Sequence, residues 1–236
     1  MELFAQYPTF TLLFLAVFAF VAGFLDAIVG GGGLIQLPAL LINFPKLPLP
    51  TVFGTNKIAA LSGTSIAAAQ YAQRIKFNWK VLLSIAAFSF LFSFLGAKTV
   101  SYIHSEVLKP LILVILIIIA IYTYLKKDLG NVPTKNLSTQ KKMIFGGMIG
   151  AVVGFYDGFF GPGTGSFFVL AFVVILGFDF LSASAYAKVV NCVTNISALM
   201  VFIKSGNYLL EIALLMAVFN IAGNLLGTKI AFKKEI

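Results

Sequence analysis

When the chain is laid beside itself at an offset of 131 residues, Gly23, Phe24, Asp26, Gly30 and Gly32 fall on Gly154, Phe155, Asp157, Gly161 and Gly163. The same offset, carried on without a gap, sets Lys57 on Lys188, Ala67 on Ala198, and Leu95-Gly96 with Lys98 on Leu226-Gly227 with Lys229. Matches held in one phase over so long a stretch mark two copies of one structural unit. The expected division is a first repeat over 1–105, a linker helix with a basic loop over 106–141, and a second repeat over 142–236.

Each copy is too apolar to dissolve in water. The chain is 60% hydrophobic, 11% charged and has a mean hydropathy of +1.00, so a bilayer is its natural solvent. The run LKPLILVILIIIAIYTYL over Leu108 to Leu125 is long enough for a crossing, which takes about 20 mostly apolar residues, and the whole length allows about eight crossings. The first 30 residues lack a basic leader region and end in the duplicated motif, so they are read as a retained helix.

The same plan of apolar runs appears twice. In the first copy it reads Phe10 to Val29, Leu34 to Phe44, Thr51 to Gln73 and Trp79 to Lys98; in the second, Met143 to Phe160, Gly165 to Leu176, Ser182 to Lys204 and Leu209 to Lys229. The second run of each copy is shorter than an ordinary span and is expected to be a broken or re-entrant arm. The expected fold is all-α and polytopic: two inverted repeats, each a Gly-rich broken or re-entrant helix pair plus two full helices, joined by one linker helix.

The net charge of +9 belongs to the connections between apolar runs and implies topology, with no nucleic-acid partner. With each Gly-rich pair counted as a hairpin or as two crossings, one face gathers Arg74, Lys76, Lys80, Lys126, Lys127, Lys135, Lys141, Lys142, Lys229, Lys233 and Lys234. The other face holds Lys46, Lys98, Lys109 and Lys204, a split of 11 to 4. Counted as one broken crossing, the split weakens to 9 to 6. The positive-inside rule then expects a plasma-membrane protein with its N-terminus outside and its C-terminus cytoplasmic. That parity also inverts the copies relative to one another, an arrangement used by transporters whose halves exchange roles about a central site.

Chemistry concentrates in the duplicated motifs, GFLDAIVGGGGLIQLPAL from Gly23 and GFYDGFFGPGTGSFF from Gly154. Each sets a carboxylate, Asp26 or Asp157, four residues before a glycine cluster. Irregular backbone at membrane depth survives only where protein covers it or where it lines a wet cavity. A short helix starting after the glycines offers free N–H groups and a positive dipole end, so Gly31, Gly32, Gly33, Gly163, Thr164 and Gly165 are candidate anion contacts. The plainer use of such glycines is close helix packing. Neither motif is a nucleotide loop, because no Lys-Ser/Thr follows the glycines.

Lys57 and Lys188 lie early in equivalent helices, where a buried ammonium suggests a site; each could instead snorkel or tie to an Asp. Asn56, Asn191 and Asn195 flank them as candidate substrate contacts. Asp26 and Asp157 are read as structural partners or proton carriers, with structural pairing favoured. Ser89 and Ser93, and their equivalents Asn220 and Asn224, are read as facing the bundle interior, and Trp79, Tyr102 and Tyr208 as anchors at the membrane surface. One histidine, His104, and one cysteine, Cys192, give no donor set for a metal centre and no internal disulfide, and no cofactor is expected.

The duplicated Gly-Phe-x-Asp with its glycine cluster, together with the size and hydropathy, resembles the TauE/SafE family of sulfite exporters, and the resemblance covers nearly the whole chain. It implies a polytopic transporter for sulfite, sulfonates or related sulfur compounds. The expected function is therefore secondary transport or facilitation of a small sulfur-containing anion by alternating access, with the anion and the lipid bilayer as partners. An intramembrane enzyme and a structural membrane subunit are the alternatives.

Overall fold

The computed structural model describes residues 7–103, 114 and 137–234. Within them the chain forms eight helices and no strand: α1 (Thr9–Val29), α2 (Gly33–Asn43), α3 (Leu49–Ala72), α4 (Trp79–Tyr102), α5 (Thr139–Phe159), α6 (Thr164–Val174), α7 (Phe180–Lys204) and α8 (Leu210–Lys234). The expected linker helix, apart from Val114, lies outside the described residues, as do His104, Lys109, Lys126, Lys127 and Lys135.

The offset of 131 seen in the sequence recurs in the helices. Gly33, Leu49 and Trp79 open α2, α3 and α4, and Thr164, Phe180 and Leu210 open their counterparts. Local chemistry fixes several of these starts. Asn78, Ser138 and Asp179 each accept a hydrogen bond from a first-turn N–H, and Pro48 and Pro50 bracket the start of α3. Burial works against the Asp179 charge, but hydrogen bonds from Ser182 and the neighbouring backbone outweigh it and hold the carboxyl below its ordinary range.

Each short helix folds back on the long helix before it. Tyr7, ahead of α1, meets Phe44, at the end of α2, with ring centroids 5.7 Å apart. In the second repeat Lys142, in the first turn of α5, lies over the ring of Phe178, just past α6. At 11 residues, α2 and α6 are each about 16 Å long, roughly half the hydrocarbon thickness.

The last helix of each repeat packs mainly on the other repeat: α8 lies along α1 and α3, and α4 along α5 and α7. The two apolar cores show the same exchange. Ile212 and Met216 of α8 join Leu15, Leu37 and Phe53 of the first repeat, whereas Val81 and Ile85 of α4 join Phe168, Phe172 and Tyr186 of the second. Glycines make the exchange close. A Cβ on Gly23 or Gly227 would run into the main chain of α8 or α1, and one on Gly154 or Gly96 into that of α4 or α5.

The helices α3 and α7 lie side by side and run antiparallel. Thr51, at the start of α3, meets Asn207, just past α7, while Asn78, past α3, donates its N–H to the Tyr186 hydroxyl near the start of α7 at 2.7 Å. Both are wrapped by the other helices, and their polar residues form the middle layer of the molecule.

Among the described residues, α1, α4, α7 and α8 are long and apolar enough to cross a membrane. The remaining two long helices fall short for separate reasons. α3 carries Thr51, Thr55, Asn56, Lys57, Ser62, Thr64 and Ser65 and depends on protein, not lipid, for its surroundings, while α5 opens with Thr139, Gln140, Lys141 and Lys142. Of the crossings expected, length and composition license four among the described residues, and the run over Leu108 to Leu125 lies outside them. The outward faces, with Leu13, Val17, Leu83, Met148, Val152, Met200, Leu214 and Val218 exposed, suit a hydrocarbon solvent.

Candidate functional site

The two glycine loops meet back to back at the contact between the repeats. A side chain built on Gly30 would strike the carbonyl carbon of Gly165 at 2.6 Å, and one on Gly33 would come within 3.2 Å of the Pro162 Cα. The Ser166 hydroxyl donates to the Val29 carbonyl at 3.0 Å and ties the loops together. The turns themselves differ. The first loop has positive φ at Gly30 and Gly31, the second at Gly161 and Gly163. Proline fixes its own φ near −65°, so Pro162 cannot copy Gly31, and the left-handed residue moves one place on to Gly163.

Both short helices therefore begin at one point. Their first turns border a cavity of about 30 Å³, room for about two waters, and loop carbonyls of Gly31, Gly32 and Gly161 already accept from the N–H groups of Leu34, Ile35 and Thr164. Its walls come from both repeats: Asp26, Gln36, Asn56, Lys57 and Thr64 from the first, Asp157, Thr164, Asn191, Asn195 and Asn220 from the second. Every one of these side chains is buried.

Charge in the site is paired across the repeats. The Lys57 ammonium donates to the Asp157 carboxylate at 2.9 Å and to Asn195 Oδ1 at 3.1 Å, with both charged side chains only 3% exposed. Lys188, its equivalent, reaches the main-chain carbonyl of Asp26 and sits 5.3 Å from the centre of the Tyr71 ring. The Asp26 carboxylate takes the Thr64 hydroxyl at 3.0 Å and the Gly32 N–H at a long 3.5 Å. Two ammonium groups and two carboxylates balance, so the polarity left over comes from helix dipoles and amides.

Of the expected site residues, Gly31, Gly32, Gly33, Gly163, Thr164, Gly165, Asn56, Asn191, Asn195, Lys57, Asp26 and Asp157 all border this cavity. Lys188 is buried nearby but does not line it. Asn220, read from the sequence as facing the bundle interior, lies on the wall, whereas Ser89 and Ser93 are fully buried in the packing of α4, where Ser93 donates to the Thr194 carbonyl. Gln36 was not singled out by its residue pattern, because LIQLPAL reads as an apolar run; the available signal was the offset of 131, which sets it against Phe167. No group of His, Cys, Asp and Glu among the described residues could hold a metal ion.

Comparison with known proteins bears on this architecture directly. The family model for the sulfite exporter TauE/SafE matches residues 15–235. A probable membrane transporter protein of a Sinorhizobium species is 42% identical over 224 residues, covering 94% of this chain and 84% of that protein. One of Haemophilus influenzae is 36% identical over 91% of this chain and 83% of its own length. YfcA of Escherichia coli K12, also described as a probable membrane transporter, is 34% identical over 92% of this chain and 79% of its own. No solved structure matches the chain. With apolar spanning helices, a polar cavity between two repeats and a match over almost its full length, the chain is a membrane protein that belongs to the TauE/SafE sulfite exporter family.

Proposed function

We propose that this chain is a secondary transporter or facilitator that carries a small sulfur-containing anion, such as sulfite or a sulfonate, by alternating access between two inverted repeats. The observation that carries the reading is the convergence of both half-helix N-termini with Lys57 and buried amides on one cavity at the repeat interface. An anion seated there would compete with Asp157 for Lys57 and draw on the partial positive charge of α2 and α6. The antiparallel course of α3 and α7 and the exchange of α4 and α8 support the inversion, with the glycine loops approaching the midplane from opposite faces.

The unequal lysine contacts suggest how the halves would exchange roles. Lys57 holds the Asp157 carboxylate, whereas Lys188 holds only the Asp26 carbonyl. In the opposite state Lys188 would take the Asp26 carboxylate and Lys57 would relax to the main chain, so each ion pair closes one access route. The chain would lie in the plasma membrane with its C-terminus cytoplasmic.

Purified protein in liposomes tests this. Saturable flux of sulfite, sulfate, thiosulfate or a sulfonate is the expected result. No flux of any of the four, or chemical turnover without flux, would end the transport reading.

A further inference from the structure

Gln36 is the fourth residue of α2, 1% exposed, and lines the cavity. Its amide orientation is set by a relay that starts one helical turn along α8 from the cavity wall. Asn224 Nδ2 donates to the Asn220 main-chain carbonyl at 3.1 Å, an atom that can only accept, and also to Asn220 Oδ1 at 2.9 Å. Asn220 is therefore turned with Nδ2 outward, where it donates to the Ala19 carbonyl at 3.4 Å and to Gln36 Oε1 at 2.8 Å. Gln36 must then present its NH2, and Nε2 is buried with no hydrogen-bond partner among the described residues.

A buried donor left without an acceptor is costly, and here a relay of two other amides maintains it. We infer that Gln36 is a specificity-determining residue of the transport site, donating its Nε2–H to an oxygen of the bound anion. The inference rests on the transport reading above. The equivalent position in the second repeat is Phe167, which packs against Tyr156 and cannot donate. The anion is therefore held off the symmetry axis of the repeats, nearer α2 than α6, by a contact that only one repeat supplies. A neutral donor suits this role because it can hold an oxyanion without adding a charge that would compete for Asp26 or Asp157.

The test uses the whole protein in detergent and in liposomes, with sulfite, sulfate, thiosulfate and ethanesulfonate as probes for calorimetric titration and flux. Gln36→Met removes the donor and should weaken the bound anion by about tenfold; Gln36→Glu keeps the acceptor for Asn220, turns a carboxylate to the ligand, and should weaken it by about a hundredfold or more. Met also takes the Oε1 acceptor from Asn220 Nδ2, which keeps only the Ala19 carbonyl at 3.4 Å, so the thermal midpoint of the anion-free protein should fall slightly, one buried bond being lost as one orphan donor is removed.

Wild-type binding with both variants within twofold of it would overturn the assignment of Gln36 alone. A wild type that neither binds nor moves any of the four anions would overturn the transport reading, and this inference with it. Should both variants fail to fold, Asn220→Ser places at that position the residue the first repeat carries at Ser89 and releases the Gln36 amide. It should weaken binding by about threefold to tenfold, and unchanged affinity in that folded variant would overturn the role of Gln36.

Discussion

Lys57 and Lys188 stand at matching places along α3 and α7, yet only Lys57 has a carboxylate within reach. A buried pair is costly to form but costlier to break, because removing one partner strands the other charge at about 3–5 kcal/mol. Lys57→Met is therefore expected to destabilise the protein more than Lys188→Met, which removes a carbonyl bond, a ring contact and a longer-range attraction for Asp26 but no direct ion pair. Adding Asp157→Leu to Lys57→Met should recover most of the loss without restoring flux. Thermal unfolding in detergent checks the order, and equal losses at the two lysines would contradict it. The sequence brought these four charged residues together through the repeat alone. It could not assign partners, because the pairing crosses from one repeat to the other and depends on how the copies pack. For Gln36 the obstacle is context: one amide in an apolar run gives no hint of the Asn224–Asn220 relay that turns it toward the cavity.

The glycine loops determine whether the half-helices can meet at all. Gly30 has φ 75° and ψ 169°, a region open essentially to glycine, and its Cα lies where any side chain would collide with Gly165. Gly206, between α7 and α8, has a similar φ of +68° but open space around it. This separates conformational strain from crowding. Gly206→Ala should cost about 1–2 kcal/mol and leave flux intact, since only backbone strain is added. Gly30→Ala should cost more and reduce flux, because it also forces the two loops apart; comparable melting temperatures and flux for the two variants would show that the loop contact is unimportant. The helices themselves were legible in the apolar runs to within a few residues. The largest differences fall at polar ends: α8 continues five residues past Lys229 to Lys234, α5 starts four residues before its apolar run, where Ser138 caps a turn containing Lys141 and Lys142, and α4 continues past Lys98 to Tyr102. A helix end in a polar boundary layer leaves little trace in hydropathy. The polar central helix α3 shows the converse, since its position inside the bundle makes lipid-facing composition unnecessary.

At the scale of the whole molecule, the connections divide between two ends. Arg74 lies over the ring of Phe232 near the end of α8, so the α3–α4 connection and the last turns of α8 share one end. Thr51 and Asn207 meet at the other, which brings together the start of α3 and the α7–α8 connection. Arg74, Lys76, Lys80, Lys229 and Lys233 therefore cluster at the first end, while Lys46 and Lys204 mark the second. Lysine and arginine are retained on the cytoplasmic side during insertion, so the first end should face the cytoplasm. In a Cys192→Ser background, a cysteine at exposed Lys76 should react with a membrane-impermeant reagent only after the cells are opened, whereas one at exposed Gly206 should react in sealed cells. Labelling in the reverse order would turn the protein over in the membrane without disturbing the repeat. Labelling of both sites in sealed cells would go further, because it would place the starts of α4 and α8 on one side and deny the antiparallel relation that the proposed exchange of access requires.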